Sequence, residues 1–189
     1  MRKIFNVFLL SFFVISVMTI FNSSSVYACS CVEPQPVETE LSRSDAVFSG
    51  RVLEVKEQTS IRGMMTKAAL FEVDHIWKGG SESEIIIHTG SGGGDCGFEF
   101  EVGKEYLVYA NHSTMYGDKE LLVTIICDRT KLVDEAQEDL KILGEGKEPT
   151  VIVNLKDTFN REHPYLMFAS IGIAILGTVI YLVWRKKQK

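Results

Sequence analysis

Two apolar runs, one near each end of the 189-residue chain, limit the part that can fold as a water-exposed domain. The first run, residues 4–21, follows two basic residues and precedes a polar break and the small residues Val26 and Ala28. This order is typical of a secretory signal peptide. We therefore predict a signal peptide over residues 1–28, with cleavage before Cys29. The alternatives are an uncleaved membrane helix and a lipoprotein cut that acylates Cys29.

The second apolar run, residues 165–184, is twenty residues long and carries no charge. It is long enough to cross a bilayer as a helix. Four bases follow in residues 185–189, and the positive-inside rule places such a tail in the cytoplasm. The pattern predicts a single-pass type I protein of the cell membrane. Residues 29–164 are then extracytoplasmic, with residues 147–164 as a juxtamembrane tether.

Charge is distributed unevenly between these segments. The predicted signal carries two bases and the tail four, which leaves 14 bases against all 25 acids in between. A segment at −11 lacks the basic surface that sequence-independent binding of nucleic acid requires. We expect no nucleic-acid partner.

The predicted extracytoplasmic domain, residues 29–146, has five segments with the composition of β-strands. Val47 to Val55 alternates apolar and polar residues, as a half-buried strand does. The five predicted strands are residues 46–56, 69–77, 84–89, 106–110 and 121–127, with a hairpin turn at residues 116–119. Five short strands favour a mainly β fold with one or two helices, as in a partly open barrel of the OB type. A β-sandwich is the alternative.

One helix is predicted over residues 132–143, because apolar residues recur there at helical spacing and Gly144 follows. Four acidic residues occupy the other face, and we expect their carboxylates to be solvated: Asp134, Glu135, Glu138 and Asp139.

The chain has four cysteines, all in the predicted exported segment: Cys29, Cys31, Cys96 and Cys127. An even number of cysteines in an oxidising compartment predicts two disulfides. Pairing Cys29 with Cys31 would strain the short ring between them. The other two pairings both tie the predicted mature N-terminus to two distant points, and the residues alone leave both open.

Several segments resemble the tissue inhibitors of metalloproteinases. Residues 29–36 (CSCVEPQP) and 44–52 (SDAVFSGRV) are similar to the start of that family, and residues 71–79 (FEVDHIWKG) resemble its second strand. Its later segments are matched in order by residues 96–98, 106–108 and 124–127. The resemblance covers about residues 29–143. It implies a netrin-like domain with an OB fold and the disulfides Cys29–Cys96 and Cys31–Cys127.

The same resemblance implies an inhibitor of zinc metalloendopeptidases whose protease-binding residues are Cys29, Ser30, Cys31 and Val32. The Cys29 α-amine and carbonyl would bind the catalytic zinc of the target protease in trans, and Ser30 would enter its primary specificity pocket. The expected partner is a zinc metalloprotease. The alternative is a non-inhibitory surface module, for binding or structure, with the same fold.

Other motifs favour structural interpretations. The Cys29-Ser30-Cys31 motif could be a redox dithiol, but four cysteines at family-like spacing favour structural disulfides. The glycine-rich residues 89–95 lack the Lys-Ser/Thr of a phosphate loop and predict a flexible turn. The histidines lack metal-site spacing: His75, His88, His112 and His163. We predict a protein that is not an enzyme and has no cofactor or intrinsic metal.

Overall fold

The computed structural model describes residues 29–32, 35–59, 65–92, 94–117 and 119–160. The predicted signal peptide, membrane helix and cytoplasmic tail lie outside these residues. Within the described ranges, no helix is both long and apolar enough to span a bilayer.

Six strands form one sheet, and five of them close into a ring. The strands are β1 Ala46–Thr59, β2 Met65–Lys78, β3 Glu84–Gly90, β4 Glu105–Ser113, β5 Leu121–Val123 and β6 Lys131–Leu132. Their order is β1-β2-β3-β5-β4-β6, and β1 also pairs with β4, which closes the ring. The β3–β5 pair is parallel, whereas the other pairs are antiparallel. The prediction of a mainly β, barrel-like fold is confirmed.

The fifth strand is shorter than predicted. It ends at Val123, because the chain turns over residues 125–128. The Asp128 carboxylate holds this turn by accepting a hydrogen bond from the Ile125 N–H at 2.9 Å. The two residues of β6 were not predicted as a strand.

The helices are short. They are α1 Val37–Arg43, a 3₁₀ turn Val133–Glu135, α2 Gln137–Leu143 and α3 Lys156–Phe159. The single helix predicted over residues 132–143 is wrong in extent: Leu132 pairs with Tyr106 in β6, so α2 begins only at Gln137. Helix α1 was not predicted, although Pro36 before it and acids in its first turn are start signals.

The barrel interior is apolar and rich in aromatic rings. Phe71 lies at its centre, with edge-to-face contacts to Phe48 and Phe100 at centroid distances of 5.4 and 5.0 Å. Such pairs stabilise beyond simple burial of area. The interior cluster consists of Phe48, Val52, Ala69, Phe71, Val73, Ile87, Phe100, Tyr106, Val108 and Ala110.

A second apolar cluster lies outside the ring, beneath α1 and α2. Its buried members are Val47, Leu107, Tyr109 and Ala136, and Trp77 packs against them. Successive side chains of β1 and β4 therefore point to opposite faces of the sheet. Phe48 and Val108 face the barrel interior, while their neighbours in sequence face the helices.

Residues 147–160, predicted as part of the tether, pack against β2 and β3. Lys147 and Ile76 exchange backbone hydrogen bonds of 2.9 and 2.8 Å, and the Val153 N–H donates to Ser83 Oγ at 3.0 Å. Phe159 is buried against Ala68 and Leu70. The packed body thus continues beyond Gly146.

Candidate functional site

Two disulfides fasten the segment Cys29–Val32 to the barrel. Cys29 is bonded to Cys96 and Cys31 to Cys127, with Cα–Cα distances of 5.2 and 5.1 Å. These are the pairs that the resemblance implies. The segment is thereby held at two points, one on either side of Ser30.

Cys96 and Cys127 come together because their loops pair through the backbone. Gly97 bridges Ile125, and the Ile126 N–H donates to the Cys96 carbonyl at 2.9 Å. Cys96 has a φ of 63°, in the left-handed region that few non-glycine residues adopt. Gly97 follows where a Cβ would collide with the backbone of Gly90.

The glycine-rich loop before Cys96 is organised by Asp95. The Asp95 carboxylate accepts hydrogen bonds from the N–H groups of Ser91, Gly92 and Gly97 at 2.7, 2.9 and 3.0 Å. Burial alone would raise the pKa of Asp95, but these hydrogen bonds outweigh it and lower the pKa. The loop, predicted only as a flexible turn, is hydrogen-bonded around one charge.

Tyr116 supports the same loop from the β4–β5 connection. Its hydroxyl donates to the Asp95 carbonyl. Burial, reinforced by the Asp95 charge, raises the pKa of Tyr116 to about 12. The phenol therefore stays protonated and keeps donating at neutral pH.

Asp128 holds the turn that carries Cys127. Besides the Ile125 N–H it faces Arg43 of α1, at 3.4 Å from Nη2. Burial raises the pKa of Asp128, the Ile125 hydrogen bond opposes this, and the Glu40 charge raises the pKa further. The turn and α1 are thus linked next to the second disulfide.

A buried charge network lies beneath the chain that follows the candidate site. Asp139 is fully buried and accepts hydrogen bonds from Arg129 Nε and Nη2 at 2.9 and 2.7 Å, Lys131 Nζ at 3.1 Å and the Tyr109 hydroxyl at 3.1 Å. Arg129 also donates through Nη1 to the Gln35 carbonyl at 2.9 Å. The prediction of a solvated Asp139 is wrong, because three side chains from outside α2 donate hydrogen bonds to it.

This network was missed by sequence reasoning. Arg129 fixes the backbone at Gln35, between the disulfide-bonded segment and α1. The only sequence signals were an arginine and a lysine directly before the predicted helix, and these do not identify their acceptor.

The four predicted site residues lie together and are accessible to a partner. Ser30 and Cys31 are exposed and Cys29 is half-buried, while Val32 is 83% exposed. Ile126, beside Cys127, is 50% exposed. We call Cys29–Val32 the N-terminal ridge; both the polar side chain of Ser30 and the apolar side chain of Val32 are exposed on it.

The cysteine sulfurs do not form a metal site in this oxidation state. The Sγ atoms of Cys29, Cys31 and Cys127 lie within 4.8 Å of one another, and those of Cys29 and Cys127 are 3.7 Å apart. Metal ligation requires thiolates, whereas all three sulfurs are in disulfides. Their proximity reflects two adjacent disulfides in van der Waals contact.

The described histidines are dispersed. His75 and His112 are exposed and His88 is half-buried, and burial lowers the pKa of His88. His163 lies outside the described residues.

No protein-family model matches the chain, and a comparison with curated proteins finds no significant relative.

Proposed function

We propose that the protein inhibits a zinc metalloendopeptidase through the N-terminal ridge, with the Cys29 α-amine and carbonyl as ligands to the zinc of the target. The observation that carries the proposal is that the N-terminal ridge, Cys29–Val32, is largely exposed while two disulfides hold it against the barrel. We further propose that the barrel is of the netrin-like OB type. The ring order β1-β2-β3-β5-β4 supports this.

The proposed chemistry matches what a catalytic zinc offers. Such a zinc has three protein ligands and one position held by water or substrate. An α-amine has a pKa of about 7.7 to 8.0, so an appreciable fraction is neutral and able to ligate near pH 7. The amine nitrogen and carbonyl oxygen of one residue form a chelate that displaces the water. The mechanism requires proteolytic cleavage before Cys29, which frees the amine.

Rigidity supports this mechanism. Ordering a flexible segment on binding costs free energy, and a segment already held in place loses less. The disulfides hold Cys29 and Cys31, and Arg129 holds the backbone at Gln35. Ser30 is then free to enter the primary pocket of the protease, while Val32 contacts apolar surface beside it.

The decisive comparison uses two forms of the purified protein in detergent, one beginning at Cys29 and one retaining Ala28 as a single extra residue. Both are assayed against a panel of zinc metalloproteases. We expect the form beginning at Cys29 to inhibit at least one protease. The extra residue should weaken inhibition by about a hundredfold or more, because it converts the amine into an amide that does not ligate zinc.

Intact mass spectrometry provides the control for both forms. Each should show four hydrogens missing, as two disulfides require, and no acyl group. Equal inhibition by the two forms would exclude chelation. No inhibition by either form would exclude the inhibitor function.

A second candidate function, a non-inhibitory binding module, is favoured by the exposed apolar side chains of Val32 and Ile126. Apolar side chains contribute to protein contact without a free amine. This function predicts that a photo-crosslinker placed at Val32 captures the same partner from both N-terminal forms.

A further inference from the structure

A cleft of about 720 Å³ lies on the outer face of the sheet. Its walls are β1, β2, the start of β4, α2 and the chain at residues 144–148. The last wall is held in place because the Trp77 indole N–H donates to the Gly144 carbonyl at 2.9 Å. The volume falls in the range of small-ligand sites. The cleft shares no residue with the N-terminal ridge.

Two residues that line the cleft, Asp74 and Trp77, are positioned by irregular pairing between β1 and β2. The β1–β2 register shifts at three places, and two of these shifts leave a residue of β2 without a partner on β1. Asp74 is skipped because Ser49 pairs with His75 but Gly50 with Val73. Trp77 is skipped because Val47 pairs with Lys78 but Phe48 with Ile76. Each of these two shifts is a β-bulge, an arrangement that redirects a side chain and is common near binding sites. Both unpaired residues line the cleft.

Gly50 permits the bulge at Asp74. A Cβ at this position would collide with the Glu72 carbonyl. The close approach of β1 and β2 at this point therefore requires glycine.

A serine that is mostly buried also lines the cleft. Ser49 is only 7% exposed, and its side chain lies on the outer face of β1, as that of Val47 does. Its hydroxyl makes no hydrogen bond to any other residue that the structure describes. The Ser49 hydroxyl is therefore available to accept a hydrogen bond from a ligand in the cleft.

The charges around this hydroxyl are predominantly negative. The cleft is lined by Asp74, Glu105, Glu145 and Glu148, with His75 as the other titratable side chain. Arg51 opposes one of these carboxylates: its Nη2 lies 2.6 Å from Glu105 Oε1. Asp74 is exposed, but partial desolvation, together with the charges of Glu105 and Glu72, raises its pKa. A bound cation would relieve that repulsion.

We propose that this cleft binds an organic cation bearing an alkylammonium or guanidinium group. The carboxylates neutralise its charge, Ser49 accepts one of its N–H groups, and the Trp77 ring offers a face for cation–π contact. A bare metal ion would leave most of the 720 Å³ unfilled. The same group occurs on free polyamines and on lysine or arginine side chains of a peptide.

Isothermal titration calorimetry on the full chain in detergent tests the proposal, with cadaverine, agmatine and a short lysine-containing peptide as probes. Diacetylated cadaverine, which is neutral, is the matched control ligand. We expect saturable binding of at least one cationic probe and none of the neutral one. The tighter of the amine and peptide arms identifies the source of the cation.

Two variants localise the binding. The double substitution Asp74→Asn/Glu145→Gln should weaken it about tenfold or more, since charge-assisted hydrogen bonds are lost. Ser49→Ala should weaken it less, in the same direction. Glu57→Gln changes an exposed carboxylate outside the cleft and should leave affinity within about twofold.

The proposal is overturned if no cationic probe binds. It is equally overturned if the neutral ligand binds as well, or if Asp74→Asn/Glu145→Gln weakens affinity no more than Glu57→Gln. None of these results depends on cleavage before Cys29 or on protease inhibition.

Discussion

At the scale of single residues, Asp139 determines how the chain after the N-terminal ridge is held. Its carboxylate is fully buried and bonded to both Arg129 and Lys131. Removing one partner of a buried ion pair costs much more than the pair contributes, because the other charge remains buried. Asp139→Asn keeps the shape but removes the charge. We expect it to lower the free energy of unfolding by about 3 kcal/mol, measured by urea denaturation.

Glu138→Gln on the same helix is the control for this substitution. Glu138 is exposed, so its change should stay within about 0.5 kcal/mol. Equal effects of the two substitutions would mean that Asp139 is not buried with Arg129 in solution.

The same residue predicts a pH dependence. Burial alone would raise the pKa of Asp139, but hydrogen bonds from Arg129 and Lys131 outweigh it and lower the pKa. A carboxyl with a lowered folded-state pKa stabilises the protein above its unfolded pKa of about 3.9 and loses this as pH falls through the folded value. The stability difference between wild type and Asp139→Asn should therefore shrink below about pH 4. Urea titrations from pH 7 to pH 2.5 measure it, and a constant difference would contradict the assignment.

Sequence periodicity could not identify the role of Asp139. A helical pattern separates apolar from polar positions on one element, and Asp139 is polar. Its partners lie on other elements, and Tyr109 is thirty residues away in sequence. The partners of the four cysteines were easier to predict than those of Asp139, because residue type alone restricts four cysteines to a few pairings.

At the scale of elements, the chain after α2 belongs to the domain. Phe159 is 7% exposed and packs against Ala68 and Leu70 of β2. Truncating a buried phenylalanine removes its burial and leaves a cavity. Phe159→Ala should therefore lower the free energy of unfolding by about 3 kcal/mol, measured by urea denaturation.

Ile152→Ala in the same stretch is the matched control. Ile152 is 93% exposed, so its truncation should cost less than about 0.5 kcal/mol. If Phe159→Ala costs no more than Ile152→Ala, residues 147–160 are a free tether in solution.

The long strands could be predicted because alternation persists over many residues, as in β1. The packing of residues 147–160 against the barrel could not be predicted, because these residues have few periodic apolar positions. Backbone hydrogen bonds, such as those between Lys147 and Ile76, hold residues 147–160 in place. Such bonds involve main-chain groups and therefore leave little signal in the sequence. The β-bulges at Asp74 and Trp77 could not be predicted from the sequence either, since a bulge depends on the register of two paired strands.

At the scale of the whole molecule, two cross-links tie Cys29 and Cys31 to residues far along the sequence. Their sequence separations are 67 and 96 residues. With Cys29–Cys96 formed, however, the second bond closes a loop through Cys29–Cys31 and Cys96–Cys127 of only about 33 residues. The same residual loop applies to the first bond when the second is formed. In the chain-entropy account, each bond therefore stabilises the intact protein by a similar amount, about 4 kcal/mol.

We expect Cys29→Ser/Cys96→Ser and Cys31→Ser/Cys127→Ser to lower the free energy of unfolding by about 4 kcal/mol each. Ser30→Ala changes the exposed residue between the two bonds and should cost less than about 0.5 kcal/mol. Urea denaturation measures all three variants. If a double variant does not fold, the wild type is compared before and after reduction, where the midpoint should fall to a much lower urea concentration. A cysteine-pair variant as stable as Ser30→Ala, or a midpoint unchanged by reduction, would show that the bonds do not restrict the unfolded chain as this topology requires.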